Sequence, residues 1–296
     1  MQMKRKIKHW MWGYMFVAPT IIGLVVLNIW PIIQTVFLSL QKSLGFNRYE
    51  FAGFTNYIKL LSDSDVWLGL KNTFVFAVIS VPAGIFLSLL IAWLLCKPIR
   101  GVSVYRMIFF LPLVAAPAAV TMVWSWIYNT EFGVLNYLLG FLGISKISWL
   151  NDTRYTMFSI ILIAIWSSLG QQIIILIVAI KNVPKVYYEA AELDGANDRK
   201  KFFKIMIPLV SPNLFFLSVT GIIGALGQFD LIYMIYGTGN SEALDSVKTI
   251  MYQYYRQAFV VQDKAYASAI AVVTLVIILL LTAVQMKMQK RLVFYE

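Results

Sequence analysis

The chain has 296 residues, of which 60% are hydrophobic, 15% aromatic and only 13% charged. Soluble domains carry about 25% charged residues, so there are too few polar side chains here to cover a water-exposed surface. The net charge is +11, and with one cysteine (Cys96) and one histidine (His9) an intrachain disulfide is impossible and a zinc or haem site built on those ligands is not expected.

Six windows of at least 22 residues lack Asp, Glu, Lys and Arg: 10–41, 72–96, 107–130, 155–180, 205–229 and 265–286. About 20 apolar residues cross the hydrocarbon core as a helix. The next longest window, 132–145, is too short to cross. Barrel strands would be shorter and would alternate polar with apolar, which these runs do not. The expected fold is therefore an all-α polytopic membrane protein, a single domain over 1–296. Its six transmembrane helices are expected at about 12–38, 72–96, 107–129, 156–180, 209–234 and 265–287.

The basic run Lys4-Arg5-Lys6-Ile7-Lys8 before the first window resembles the start of a signal peptide. The window is too long for one and lacks a small-residue cleavage site, so it reads as a retained span. Cys96 sits in an apolar run and reads as a small buried hydrophobe. Pro19, Pro31, Pro82, Pro112, Pro117, Pro208 and Pro212 lie in or at the ends of spans, where they predict kinks. Gly221, Gly224 and Gly227 recur every third residue in the fifth span and favour close helix packing.

Orientation follows from the basic residues of the connections. Segments 1–9, 97–106, 181–204 and 287–296 share one side and hold 16 of the 25 Lys and Arg residues. The opposite segments are longer in total and hold 9, balanced by as many acidic residues. Both termini and segment 181–204 are thus expected in the cytoplasm. The whole positive excess lies on that face, so it reads as topology and not as a nucleic-acid signal.

Segment 181–213 is far less apolar than its surroundings. Asn182 and Pro184 signal a helix start, Ala190 to Leu193 favour helix, and Asp194-Gly195 signals a stop, with Gly195 suited to a left-handed position. A second helix is expected over 196–207. Tyr187, Tyr188, Phe202 and Phe203 supply aromatic anchors. On residue types alone, this segment reads equally as a docking surface or as an interfacial loop.

Glu189-Ala190-Ala191, Asp194-Gly195-Ala196, Phe202, Ile205, Pro208 and Pro212 resemble the EAA loop of the membrane subunits of binding-protein-dependent type I ABC importers. Further stretches extend the likeness to the carbohydrate-uptake branch. They are Phe51-Ala52-Gly53-Phe54-Thr55-Asn56-Tyr57, Asn72-Thr73, Arg106 with Phe109-Phe110-Leu111-Pro112, Trp124 to Asn129, Gly133-Val134-Leu135-Asn136, Gln228-Phe229-Asp230, Tyr266-Ala267-Ser268-Ala269 and Gln285. One departure is Gly237-Thr238-Gly239-Asn240, where the family often has Gly-Gly-Pro. The large extra periplasmic domain of some maltose-type permeases is absent.

The resemblance implies that loop 184–208 is a coupling helix seated in a groove of a separate ATPase. Glu189 would meet a basic group there, Ala190, Ala191 and Gly195 would permit tight seating, Asp194 would fix the corner, and Ala196 completes the motif. It also implies a second, homologous permease chain, an ATPase pair that uses ATP and Mg, and an extracytoplasmic sugar-binding protein. The chain itself would bind no cofactor, and nucleic acid is not an expected partner. It would sit among membrane lipid as a multi-pass protein of the bacterial plasma membrane, with sugar as its cargo. The alternative cargo is glycerol phosphate or another small solute on the same scaffold. No phosphate-binding Gly-x-x-x-x-Gly-Lys-[Ser/Thr] loop and no His-Glu-x-x-His occurs, so the chain is not expected to be an enzyme. Asp230, an ionisable group inside a predicted span, is a candidate for the solute path, or else pairs locally near the outer end. Gln228, Phe229 and Tyr233 lie beside it, and Trp124, Tyr128 and Asn129 are expected to face them.

Overall fold

The computed structural model describes residues 2–45, 48–98 and 100–294, with 2–12 and 292 followed as backbone alone. The side chains of His9 and of the basic residues 4–8 therefore lie outside the described ones. The chain forms two compact units. The first comprises the residues up to 63 together with 254–273, and the second 64–253 together with 274 onward.

In the first unit, α1 (Gln2–Leu24) runs through a π-turn at Val25–Ile29 into α2 (Trp30–Ser39). The π-turn has a local cause. Pro31 offers no N–H, and its ring would strike the carbonyl four residues back. The Trp30 N–H instead reaches the carbonyl of Val25, widening the turn ahead of the proline. A two-stranded antiparallel hairpin follows, β1 (Gln41–Ser43) against β2 (Tyr49–Phe51), with Gln41 opposite Phe51. In α3 (Thr55–Ser62), the Asn56 amide donates to the carbonyls of Ser39 (2.8 Å) and Gln41 (2.6 Å), and the Tyr57 and Ser39 hydroxyls lie 2.7 Å apart. The Asn-Tyr pair of the segment after the first span thus stitches that segment to the end of the span.

The second unit opens with α4 (Ser64–Leu95), which begins eight residues before the charge-free window. The third span departs from the expected helix over 107–129. It consists of α5 (Val102–Val114) and α6 (Pro117–Ile127), bent by 109° at the break. Pro117 is the reason, because the residue before a proline is forced out of helical geometry. Ala116 is extended at φ −63° and ψ 139°, and Ala115 is extended with it.

Next come α7 (Val134–Gly140) and α8 (Thr153–Asn182), the latter capped by the Asp152 carboxylate, which accepts from the Arg154 N–H. The polar loop carries α9 (Lys185–Leu193), α10 (Asp198–Lys201), a π-turn at Phe202–Met206 and α11 (Ile207–Leu209). This π-turn repeats the arrangement before Pro31: the Ile207 N–H reaches back to Phe202, and Pro208 follows.

The chain continues through α12 (Ser211–Leu226), α13 (Asp230–Tyr236), α14 (Glu242–Asp245) and α15 (Ile250–Tyr255). A third π-turn (Arg256–Val260) leads to α16 (Lys264–Leu292). Among the described residues, five helices are long and apolar enough to cross a membrane, and the bent α5–α6 pair gives a sixth span when taken as one.

The second unit is built on α4, α8 and α12, with α5 against α8. Ile160, Ile163, Ile173 and Leu176 of α8 are fully buried. Between membrane helices such contacts stabilise chiefly by van der Waals packing and close approach. Gly221 of α12 supplies the closest approach, since a Cβ there would lie 2.8 Å from Cγ1 of Val81. Gly224 meets only open space and Gly227 only carbonyls of its own helix, so one glycine of the three is a close packing point.

At the outer end expected from the topology, the Asn72 amide donates to the carbonyls of Asp245 (2.9 Å) and Lys248 (3.1 Å). The buried Lys248 ammonium donates to Asp65 (2.8 Å) and Asp245 (2.7 Å). Burial works to lower its pKa, but hydrogen bonds to the two carboxylates outweigh burial and raise it.

Candidate functional site

The polar loop is an ordered helical corner. Helix α8 continues through Asn182, so of the expected start signal only Pro184, the N-cap of α9, stands at the helix start. Val183 is extended ahead of Pro184, and α9 begins at Lys185. The stop lies where the sequence placed it. Gly195 has φ +70°, its N–H donates to Glu192, and the Ala196 N–H donates to Ala191 at 2.8 Å. These two bonds are a Schellman cap, which requires a left-handed residue at the glycine position. Asn197 then caps α10 by accepting from the Lys200 N–H at 3.0 Å. A Lys201–Glu192 ion pair of 2.6 Å spans the corner.

The two halves of the loop face different surroundings. In α9, Val186 is 70% exposed and Leu193 is 91% exposed, one full heptad apart on a single face. Glu189 and Ala190 are exposed between them, as are Asp194 and Gly195 at the corner. Ala191 is buried against the chain itself and Ala196 is half-buried. Tyr188 is half-buried, and burial pushes its hydroxyl pKa upward. In the second half, Phe202 and Met206 are buried among Leu89, Ala92, Leu176 and Ile177.

A second feature lies inside the bundle. A cavity of about 340 Å³ opens between α4, α8 and α12. Ser80, Ser168, Gln171, Gln172, Thr220 and Gln228 give it hydrogen-bonding groups, and no charged side chain among the described residues lines it. Gln172 is oriented by Ser88, whose hydroxyl donates to its Oε1 at 2.9 Å. Gln228 follows the end of α12, and its carbonyl accepts from the Thr249 hydroxyl at 2.6 Å. Six polar groups, five on the helices and Gln228 just past the end of α12, can exchange hydrogen bonds with a hydroxylated solute at low desolvation cost.

The residues expected along the solute path distribute differently. Of the seven, only Gln228 lines this cavity. Phe229 stacks on Tyr233 at 5.1 Å, and Asp230 is exposed at the first position of α13. Tyr128 is buried, with its hydroxyl donating to the Ser159 carbonyl at 3.4 Å. Trp124 packs on Tyr128 (5.2 Å) and edge-on against Trp166 (5.6 Å). Asn129 accepts from the Glu131 and Phe132 N–H groups and so shapes a turn.

Helices α6 and α13 do meet, through Thr121 with Met234 (3.8 Å) and through Leu231 and Ile235 beside the Tyr128 cluster. Sequence reasoning missed Ser80, Ser168, Gln171, Gln172 and Thr220. The available signal was Ser168, Gln171 and Gln172 at positions i, i+3 and i+4 of one apolar span, which puts three polar groups on one helix face.

A model of the family described as binding-protein-dependent transport system inner membrane component matches residues 70–293. The trehalose/maltose transport system permease protein MalF of Thermococcus litoralis is 30% identical over 276 residues, covering 93% of this chain and 92% of its own. The sn-glycerol-3-phosphate transport system permease protein UgpA of Agrobacterium fabrum is 31% identical over 286 residues, covering 95% and 96%. A chain in the crystal structure of a bacterial alginate ABC transporter, in complex with an alginate pentasaccharide-bound periplasmic protein, superposes with a TM-score of 0.85. It is 21% identical and covers 98% of both chains, a likeness of fold.

Proposed function

The chain belongs to the family of binding-protein-dependent transport system inner membrane components, and from that premise we propose that it forms part of the translocation path of an ATP-driven importer of neutral sugars. It is a transport subunit and not an enzyme. The observation that carries the sugar reading is the cavity among α4, α8 and α12, polar on all three helices and lined by no charge among the described residues. Amides and hydroxyls match the alternating donors and acceptors of a polyol. An anionic solute would need a cation or a helix N-terminus to offset its charge. The similarity to a glycerol-phosphate permease keeps that cargo as the second reading.

In this reading the exposed face of α9, with Glu189 and Ala190, seats in a groove of an ATPase subunit. Gly195 and Asp194 fix the corner that presents it, with Ala191 and Ala196 supporting from behind. ATP and Mg are bound by the ATPase pair. Its closure draws together this loop and that of a second, homologous permease, and the helices pass between inward-facing and outward-facing states. Such a change needs ligands that bind the two states unequally. ATP supplies this on the cytoplasmic side, and a loaded sugar-binding protein supplies it outside. Both termini lie in the cytoplasm and the spans cross the plasma membrane. Trp124, Tyr128, Asn129, Phe229, Asp230 and Tyr233 belong to the outer half of the path, where Asn129 and Tyr128 act through the shape of its wall.

Uptake of labelled neutral di- and oligosaccharides and of labelled glycerol 3-phosphate, in cells with and without this chain, tests the reading. Loss of sugar uptake alone is expected on deletion. Loss of glycerol-phosphate uptake alone would overturn the neutral-sugar assignment.

A further inference from the structure

Helices α8 and α12 are joined to the polar loop by the backbone, but α4 is not. Its attachment is made by side chains. The Lys97 ammonium donates to the Asp198 carboxylate at 2.7 Å and sits 3.9 Å above the Trp93 ring. Trp93 meets the Phe202 ring edge-on at 4.9 Å. Phe202 is 4% exposed, and Met206, one helical turn on, is fully buried in the same core. The Lys97 hydrogen bond holds the Asp198 carboxyl below the usual carboxylate range.

We infer that Trp93 and Lys97 are positioning residues of the transport cycle, forming with Asp198 and Phe202 a brace through which the loop moves α4. The inference rests on the reading of this loop as the ATPase contact. A loop displaced by the ATPase moves α8 and α12 through the chain itself. It moves α4 in register only where it grips it, because packed helices can slide past one another. The grip lies at the end of α4. Ser80 of the cavity is 13 residues back along the same helix, about 20 Å at the helical rise. The three walls of the cavity then shift as one response to the loop, with Trp93 and Phe202 resisting separation and Lys97 holding the register.

The test uses the intact importer with its binding protein, reconstituted in vesicles. ATP hydrolysis and uptake of a mixture of labelled neutral di- and oligosaccharides are measured in the same preparation. Trp93→Ala is expected to lower uptake per ATP about tenfold, the scale of a lost buried aromatic contact. Lys97→Met and Asp198→Asn are each expected to lower it about threefold, with the double variant no worse than either single one. Lys97→Arg keeps both contacts and is expected to restore the ratio.

Unchanged uptake per ATP in both Trp93→Ala and Lys97→Met would overturn the brace. So would a parallel loss of hydrolysis and uptake with less chain in the membrane, the signature of a folding role. Gly195→Trp in the same assay separates the two layers. If that variant couples normally, the loop reading itself fails. If it uncouples while the brace variants do not, the brace alone fails.

Discussion

Two regions of this chain go against the solvent around them. Helix α9, in the polar loop, turns Val186, Tyr187 and Leu193 outward where polar residues would suffice. The cavity among α4, α8 and α12 gathers glutamine, serine and threonine where apolar residues would suffice. Each arrangement costs free energy in the isolated chain. Exposed apolar area in a polar segment is unfavourable, and polar groups inside spans must find partners. The signs of the mismatch differ, and so do the partners that would relieve them. An apolar ridge is relieved by a protein groove, and a neutral polar hollow by a hydroxylated solute. On the proposed function, these two mismatches are the protein-docking mark and the solute-binding mark of one chain, at separate places.

The strongest way to break this comparison is to reverse the sign at the ridge. Leu193→Asp places a carboxylate at the most exposed apolar position of α9 while leaving the core untouched. It is expected to lower uptake by about 30-fold or more, the scale of an interface hot spot. The amount of chain in the membrane and its thermal midpoint in detergent should be unchanged. Normal uptake would remove the ridge from the ATPase contact. A smaller effect separates packing from cavity within α12. Gly221→Val drives a side chain into Val81 and is expected to cost about 1–3 kcal/mol of stability, as overpacking does. Gly224→Ala meets open space and should leave the melting point within error. If both glycines tolerate substitution equally, the close approach of α12 to α4 is wrong.

These two regions also differ in how much of them could be read beforehand. The loop was legible because its signals are consecutive: the turn at Asp194-Gly195, the helix formers before it and the prolines after it act within a few residues of one another. What the sequence did not reveal was the division of labour within it, with Ala191 facing inward and Phe202 buried, because burial depends on α4 and α8. The cavity was nearly illegible. Its residues come from three helices, and each looks like a tolerable polar exception in an apolar run. The spans themselves followed from charge-free length, but the 109° break did not. Pro117 announced a disturbance, and only the conformation of Ala115 and Ala116 made it a corner and not a kink. Asn56, Asn129 and Asn136 teach the reverse lesson. Each stands out in the sequence, and each bonds neighbouring backbone to shape a segment between spans.

The smallest expected effect tests the finest claim about the cavity, that Gln172 is aimed by a neighbour. Ser88 is fully buried, and its hydroxyl donates to Gln172 Oε1 at 2.9 Å. With the amide oxygen so engaged, the Nε2 donor is left to serve the cavity. Ser88→Ala removes that constraint without touching the cavity wall. Interhelical side-chain hydrogen bonds of this kind average about 0.6 kcal/mol, so uptake should need roughly threefold more substrate for half-saturation. The maximal rate and the thermal midpoint should barely move. Gln172→Leu removes the donor itself, and combining it with Ser88→Ala should add nothing further, since both changes act on one amide. Additive effects of the two would show that Ser88 acts elsewhere, and that the orientation of Gln172 is set by the packing of α8 against α4 alone.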